Sequence, residues 1–186
     1  MKLIKIILIT LISLNTSFKV FSANNFQNIL KDNGNLIFIR HAYAPGGGDP
    51  KGFDLSDCLT QRNLSIDGIK QSKQIGKFFE DNNIVVNKVL SSEWCRCKQT
   101  ADYAFNNYET KSFLNSFFSQ EFSHNKDKQI KDLKKYINNW NGKNNLILVT
   151  HYVVIFEILN LAVSSGEIVI TDKDFNILMR QKINKN

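Results

Sequence analysis

Cysteine is scarce in this chain of 186 residues, which has only Cys58, Cys95 and Cys97. At most one internal disulfide can form, and one thiol is left over. Cys58 can pair with Cys95 or with Cys97, and sequence alone does not choose between them. The Cys-x-Cys pair has no further ligand nearby at zinc-site spacing, which argues against a bound metal. Long apolar runs are also missing. The stretch Ile6 to Leu14 falls short of a membrane span of roughly 20 residues. It follows a basic start with Lys2 and Lys5 and precedes Val20-Phe21-Ser22-Ala23, small residues of the kind a signal peptidase cuts. Residues 1–23 are therefore expected to be a cleaved secretory signal, cut after Ser22 or Ala23. No cysteine follows the cut to carry a lipid. The expectation is an exported protein, periplasmic or secreted, with no membrane association after cleavage, in a compartment that permits a disulfide.

Clustered positive charge is absent as well. The formal net charge is +7, but Lys2, Lys5 and Lys19 belong to the expected signal, and the other lysines are dispersed among Asn, Ile and Phe. A polyanion-binding face needs its Lys and Arg gathered together, so no nucleic-acid partner is expected. What remains fits one domain over 24–186, with no repeat, low-complexity tract or interdomain linker.

Along that domain, Asn24 to Asn33 reads as a short first helix with Phe26, Ile29 and Leu30. Leu36-Ile37-Phe38-Ile39 is a buried-type strand running into Arg40. The stretch from Ala42 to Gln61 holds both prolines, Pro45 and Pro50, and the run Gly46-Gly47-Gly48, and reads as a long functional loop. The glycine run lacks the Gly-Lys-Ser/Thr ending of a nucleotide loop. Ser65 is a helix N-cap, followed by Ile69, Ile75, Phe78 and Phe79 at helical spacing, and Asp81-Asn82-Asn83 ends the helix. A strand over Asn87–Ser92 and a helix from Trp94 to Asn106 follow. Lys111 to Leu114 reads as a third strand. A helix spans Asp127 to Trp140, a strand Leu146 to Thr150, and a helix Tyr152 to Leu161. Glu167–Thr171 and Asn176–Arg180 close the chain as a hairpin. Alternating strands and helices predict an α/β fold, a three-layer sandwich with a mostly parallel central sheet and helices on both faces.

Two of the three histidines, His41 and His151, stand at the tips of apolar strands. In an open α/β sheet those tips face the crevice where ligands bind. A neutral, fixed imidazole among cations is equipped to attack phosphorus, because phosphoryl transfer depends on positioning and on neutralising the equatorial oxygens. Arg40 and Arg96 supply forked donors that lysine lacks. Arg62, at a helix start, adds a third, and His151 is placed to donate as an imidazolium. Arg96, Gln99 and Thr100 share one helical face. His124, in the polar run Ser119 to Lys128, reads as a solvated loop residue.

These pieces resemble the histidine phosphatase superfamily, which includes phosphoglycerate-mutase-like enzymes, in the family's order from Leu36 to Arg180. Arg40-His41-Ala42 resembles its Arg-His-Gly motif, with alanine in the glycine place. Arg62-Asn63-Leu64-Ser65-Ile66-Asp67-Gly68 resembles Arg-x-Leu-Thr-x-x-Gly. The segment Ser91 to Ala101 resembles Ser-Ser-x-x-x-Arg-x-x-Gln-Thr-Ala, and Val149-Thr150-His151 the second histidine motif. The resemblance implies a phosphatase acting on phosphate monoesters or phosphohistidine through phospho-His41, with Arg40, Arg62, Arg96 and His151 binding the phosphate. It implies no cofactor and no metal, and a small anionic phosphorylated substrate as partner. Many relatives carry a proton-donating carboxylate after the third strand, and Glu121 is the best-placed residue here. Glu93, Asp49, Asp54 and Asp57 compete with it, and some small members of the superfamily lack such an acid and favour good leaving groups such as phosphohistidine. A phosphomutase and a non-catalytic phospho-ligand-binding module are the alternatives for the same pocket.

Overall fold

The computed structural model describes Ile29 and residues 34–185. The expected signal over 1–23 lies outside the described residues. So does the expected first helix, apart from Ile29, which is helical and packs against the core. The elements are β1 (Leu36–Arg40), α1 (Ile66–Asp81), β2 (Lys88–Ser91), α2 (Cys95–Phe105), β3 (Glu109–Thr110), α3 (Lys126–Asn139), β4 (Leu146–Thr150), α4 (Tyr152–Leu159), β5 (Ile168–Thr171) and β6 (Ile177–Gln181).

One sheet has the order β3-β2-β4-β1-β5-β6. The first four strands run parallel to one another, while β5 lies antiparallel to β1 and β6 antiparallel to β5. Strand alternation splits the core into two layers. Ile37, Ile39, Ile147, Val149, Ile168 and Ile170 pack toward α1 and α2 through Ile75, Phe79, Cys97 and Ala101. Leu36, Phe38, Leu146, Leu148 and Val169 pack toward α3 and α4 through Leu133, Ile137, Val154 and Ile155. Every residue of β4 is buried. Each large aliphatic side chain so buried contributes about 1.5–3 kcal/mol.

Ser65 caps α1 by accepting from the Gly68 N–H at 3.2 Å. Gly68 itself faces the Tyr43 carbonyl, where a Cβ would sit 2.0 Å from the oxygen. Only glycine lets the helix start press against the chain that follows β1.

The strand expected at Lys111 to Leu114 is corrected. The third strand is the two-residue β3 before it, and Ser112–Leu114 form a 3-10 turn. Lys111 still donates to the Ser91 carbonyl at 2.8 Å, but the chain then turns inward, and the Thr150 hydroxyl donates to the Leu114 carbonyl at 2.6 Å. Apolar Leu114 is fully buried beneath α3, so its hydrophobicity reflects a core plug and not a ladder. The helix expected to reach Leu161 ends at Leu159, because Asn160 takes a left-handed conformation (φ 48°).

Candidate active site

Ladder register brings the two histidines together. Arg40 pairs with Thr150 across β1 and β4, so His41 and His151 leave neighbouring strands at the same level. Their ring centroids lie 5.5 Å apart. Ser91 pairs with Val149 across β2 and β4, which sets Ser92 beside them. The two histidine tips thus form the floor of a cavity of about 680 Å³, lined also by Arg40, Arg62 and Arg96, with Ser92 buried behind His151.

The His41 tautomer follows from its partners. Nδ1 lies 2.8 Å from the Ala42 carbonyl, which can only accept, so Nδ1 carries the hydrogen. Nε2 is left with its lone pair, which receives the Arg96 Nε–H at 3.3 Å. Burial, and then Arg96 beside it, hold the His41 pKa well below the ordinary histidine value. His41 is thus a neutral base on the cavity floor, with an unprotonated Nε2 that accepts only from Arg96.

His151 is fixed by a relay. Arg96 Nη2 approaches its Nδ1 at 3.5 Å, so Nε2 donates, to Ser92 Oγ at 2.9 Å. Ser92 Oγ donates in turn to Asn115 Oδ1 at 3.0 Å, and Asn115 Nδ2 to Glu93 Oε2 at 2.6 Å. Burial and the adjacent Arg96 push His151 well below the ordinary value too. The imidazolium expected from sequence is therefore not the form this site favours by itself, because three guanidinium groups and burial oppose a further positive charge.

Arg96, almost fully buried, is the hub. Besides both histidines, its Nη1 contacts Asp49 Oδ1 at 2.8 Å and Oδ2 at 3.1 Å. Asp49 also accepts from Trp94 Nε1 at 3.1 Å and from the Arg62 backbone N–H at 3.0 Å. This carboxylate, considered from sequence only as a competing acid, ties the long loop to the Arg96 guanidinium. Arg40 donates through Nη1 to the Val163 carbonyl at 2.8 Å and lies over the Tyr152 ring. Arg62 donates to the Ala44 carbonyl. The Nε atoms of Arg40 and Arg62 are buried without a hydrogen-bond partner among the described residues. Buried donors left unmatched are costly, and an oxyanion would match them.

Glu121 lines the same cavity and makes no side-chain hydrogen bond or ion pair among the described residues. Glu93 is engaged with Asn115, while Asp54 and Asp57 bond within their own loop, to Ser56 and Leu59. His124 is exposed in a 3-10 turn outside the cavity lining.

The remaining motif residues are braces. Thr100 Oγ1 accepts from the Ala42 N–H at 3.0 Å, and Gln99 Oε1 accepts from the Leu64 N–H at 3.2 Å. Gln61 Oε1 accepts from the Cys95 N–H at 2.9 Å, doing for the start of α2 what Trp94 as N-cap does not. Cys58 pairs with Cys95, which bolts the long loop to the same helix end. Cys97 points inward, 3.5 Å from His151 Nε2, and burial pushes its thiol up to about 12. Sequence reading missed the brace beneath Arg40. The Glu167 carbonyl accepts the Arg40 N–H, and its buried carboxylate pairs with Arg180 at 2.6 Å. A lone acid in Ser164-Ser165-Gly166-Glu167, just before an apolar strand, was the available signal.

Fold and floor together define an α/β protein with the fold of the histidine phosphatases and phosphoglycerate mutases. Among solved structures, TTHB049 from Thermus thermophilus matches with a TM-score of 0.57 at 15% identity, over 78% of this chain and 98% of that one. A phosphoglycerate mutase from the same organism matches at 0.58 and 13% identity, over 81% and 99%. The protein histidine phosphatase SixA, solved with tungstate, matches at 0.54 and 14% identity, over 80% and 94%. No protein-family model and no curated protein matches the sequence.

Proposed function

We propose that the chain is a phosphatase that hydrolyses phosphate monoesters, or phosphohistidine, through a phosphohistidine on His41. The observation that carries this reading is a neutral His41 whose unprotonated Nε2, held only by a 3.3 Å contact from Arg96, lines a cavity that three arginines share. The His41 lone pair attacks phosphorus while the bond to the leaving oxygen breaks. Arg40, Arg62 and Arg96 neutralise the equatorial oxygens, which is where phosphoryl transfer needs help most. The leaving oxygen takes a proton from Glu121. Asp49 already accepts four contacts from N–H groups, so Glu121 is the cavity carboxylate free for that role. Water, deprotonated by Glu121, then attacks phosphorus. The N–P bond breaks, its electron pair returns to Nε2, and inorganic phosphate leaves.

His151 serves the bound state. A phosphate dianion offsets the charge of the arginines and raises the His151 pKa from its depressed position. Substrate therefore binds with proton uptake, and His151 becomes a donor only when the anion is present. Export is part of the proposal, and the Cys58–Cys95 disulfide supports it, since such bridges persist in oxidising compartments. A mutase would have to shield phospho-His41 from water between two substrates. The exposed rim of the cavity favours hydrolysis.

The test is an aryl phosphate assay with chelator present. Wild type is expected to release phosphate and His41→Ala is not, and an acid-labile, alkali-stable phosphoprotein should be trapped on the wild type alone. Equal rates for the two proteins would refute the mechanism. An unchanged rate for Glu121→Gln on a poor leaving group would remove Glu121 from its role.

A further inference from the structure

We infer that the substrate is a small phosphate monoester whose leaving group carries a flat aromatic ring, and that Phe118 helps select it. The inference rests on the phosphatase reading and narrows its substrate. A phosphate group accounts for only the floor of a cavity of about 680 Å³, a size typical of pockets that enclose a whole small molecule. Above the floor, one wall is aromatic and the rest is built largely of small and polar loop residues.

Phe53, Trp94 and Phe122 form one packed wall, with ring centroids 5.3–5.7 Å apart. Tyr43 and Tyr152 also line the cavity, but each already has a cation over its ring, Lys185 and Arg40 respectively. Phe118 differs from all of them. It lines the cavity yet is 69% exposed, and its ring makes no aromatic or cation contact among the described residues. Its position is held by its backbone N–H, which donates to Ser116 Oγ at 3.3 Å. An exposed ring alone would mean little, but this one lines the cavity and has a free face, which a ligand ring can stack on.

Charge in the upper chamber does not compete with this preference. Beyond the floor arginines and Asp49, which Arg96 already engages, the only charged lining residues among those described are Lys51 and Glu121, so no cluster of cations waits there for a second anionic group. Depth argues against a phosphorylated protein side chain. His41 and His151 are each only 3% exposed, so phosphorus must pass below the rim. A compact ester reaches that level without the bulk of a folded domain at the mouth.

The experiment compares phenyl phosphate with hexafluoroisopropyl phosphate, whose leaving alcohols have similar acidity, in the intact protein. A histidine-phosphorylated carrier protein is the third substrate. The expected preference for phenyl phosphate in kcat/KM is about tenfold, the scale of one good aromatic contact. Phe118→Ala should erase most of that ratio through KM, and Phe118→Tyr should keep it. Equal efficiencies, a ratio untouched by Phe118→Ala, or faster turnover of the phosphoprotein would each overturn the inference while leaving the phosphatase reading intact. Calorimetry on His41→Ala separates the two from the other side. Phenyl phosphate binding about tenfold tighter than inorganic phosphate, with loss of that margin in His41→Ala/Phe118→Ala, supports ring recognition at Phe118 independently of the turnover that tests the phosphatase reading. Equal affinities overturn it.

Discussion

The cavity floor and the cavity rim are built by opposite rules. On the floor, strand register fixes each group. His41 and His151 leave adjacent strands of a ladder whose residues are mostly buried, and Arg96 is held on several sides at once. On the rim, Pro45 to Gly48 are exposed, and the long loop is secured mainly by the Asp49 contacts and one disulfide. The floor tolerates little displacement because its geometry is that of the sheet. The rim can change residues without moving the sheet. Under the proposed function the covalent step falls to the floor, and proton transfer by Glu121 and selectivity fall to the groups above it.

Changes at the floor should cost the most. His41→Ala is expected to lower kcat by about 10⁴-fold or more, the scale of removing a covalent nucleophile. Arg96→Lys keeps a positive charge but loses the branched contacts to Asp49 and both histidines. It should lower kcat about 10²–10³-fold and weaken inorganic phosphate binding, read by kinetics and calorimetry. A larger kcat loss from any rim substitution would break the distinction.

The rim should show itself in stability before activity. Cys58→Ser opens a bridge between residues 37 apart in sequence and is expected to cost about 4 kcal/mol in chemical denaturation. A loss well under 1 kcal/mol would mean that the Asp49 contacts alone hold the loop.

Acidity tests the floor in a second way. Both buried histidines have pKa values depressed in the folded state, while the unfolded chain takes up protons near 6.5. The unfolded state thus binds more protons below that pH, and folding stability falls as pH drops, by up to about 1.4 kcal/mol per pH unit for each histidine. The same depression keeps His41 neutral, so kcat/KM should persist below pH 6.5 wherever the fold does. Denaturant midpoints and initial rates across pH 4.5–7.5 (roughly the span of histidine titration) check both. The smallest effect is expected from Ser65→Ala, at about 1 kcal/mol in thermal or urea unfolding, because it removes only the cap of α1.

Much of this was legible in the residues. Leu36 to Arg40 and Leu146 to Thr150 declared themselves by composition, and the structure places both strands where that reading put them. Ser65 as a cap was readable because N-cap chemistry is local. The placement of Phe113 and Leu114 was not, since an apolar pair reads alike whether it extends a ladder or turns into the core. The disulfide partner was open because Cys95 and Cys97 sit on different sides of one helix, and only the path of the loop decides which side Cys58 meets. The link from Asp49 to Arg96 spans 47 positions and depends on how the loop folds back, which no local pattern encodes.

The odd cysteine has a bearing on how the protein matures. Cys97 lies two positions from a bridged partner, a spacing that usually invites scrambling during oxidative folding. Its sulfur is shut inside and stays protonated, with a pKa of about 12, so it is a poor attacking thiolate. Once the helix has formed, the native crosslink is protected from its own neighbour. An alkylating reagent should leave Cys97 unlabelled until the chain unfolds.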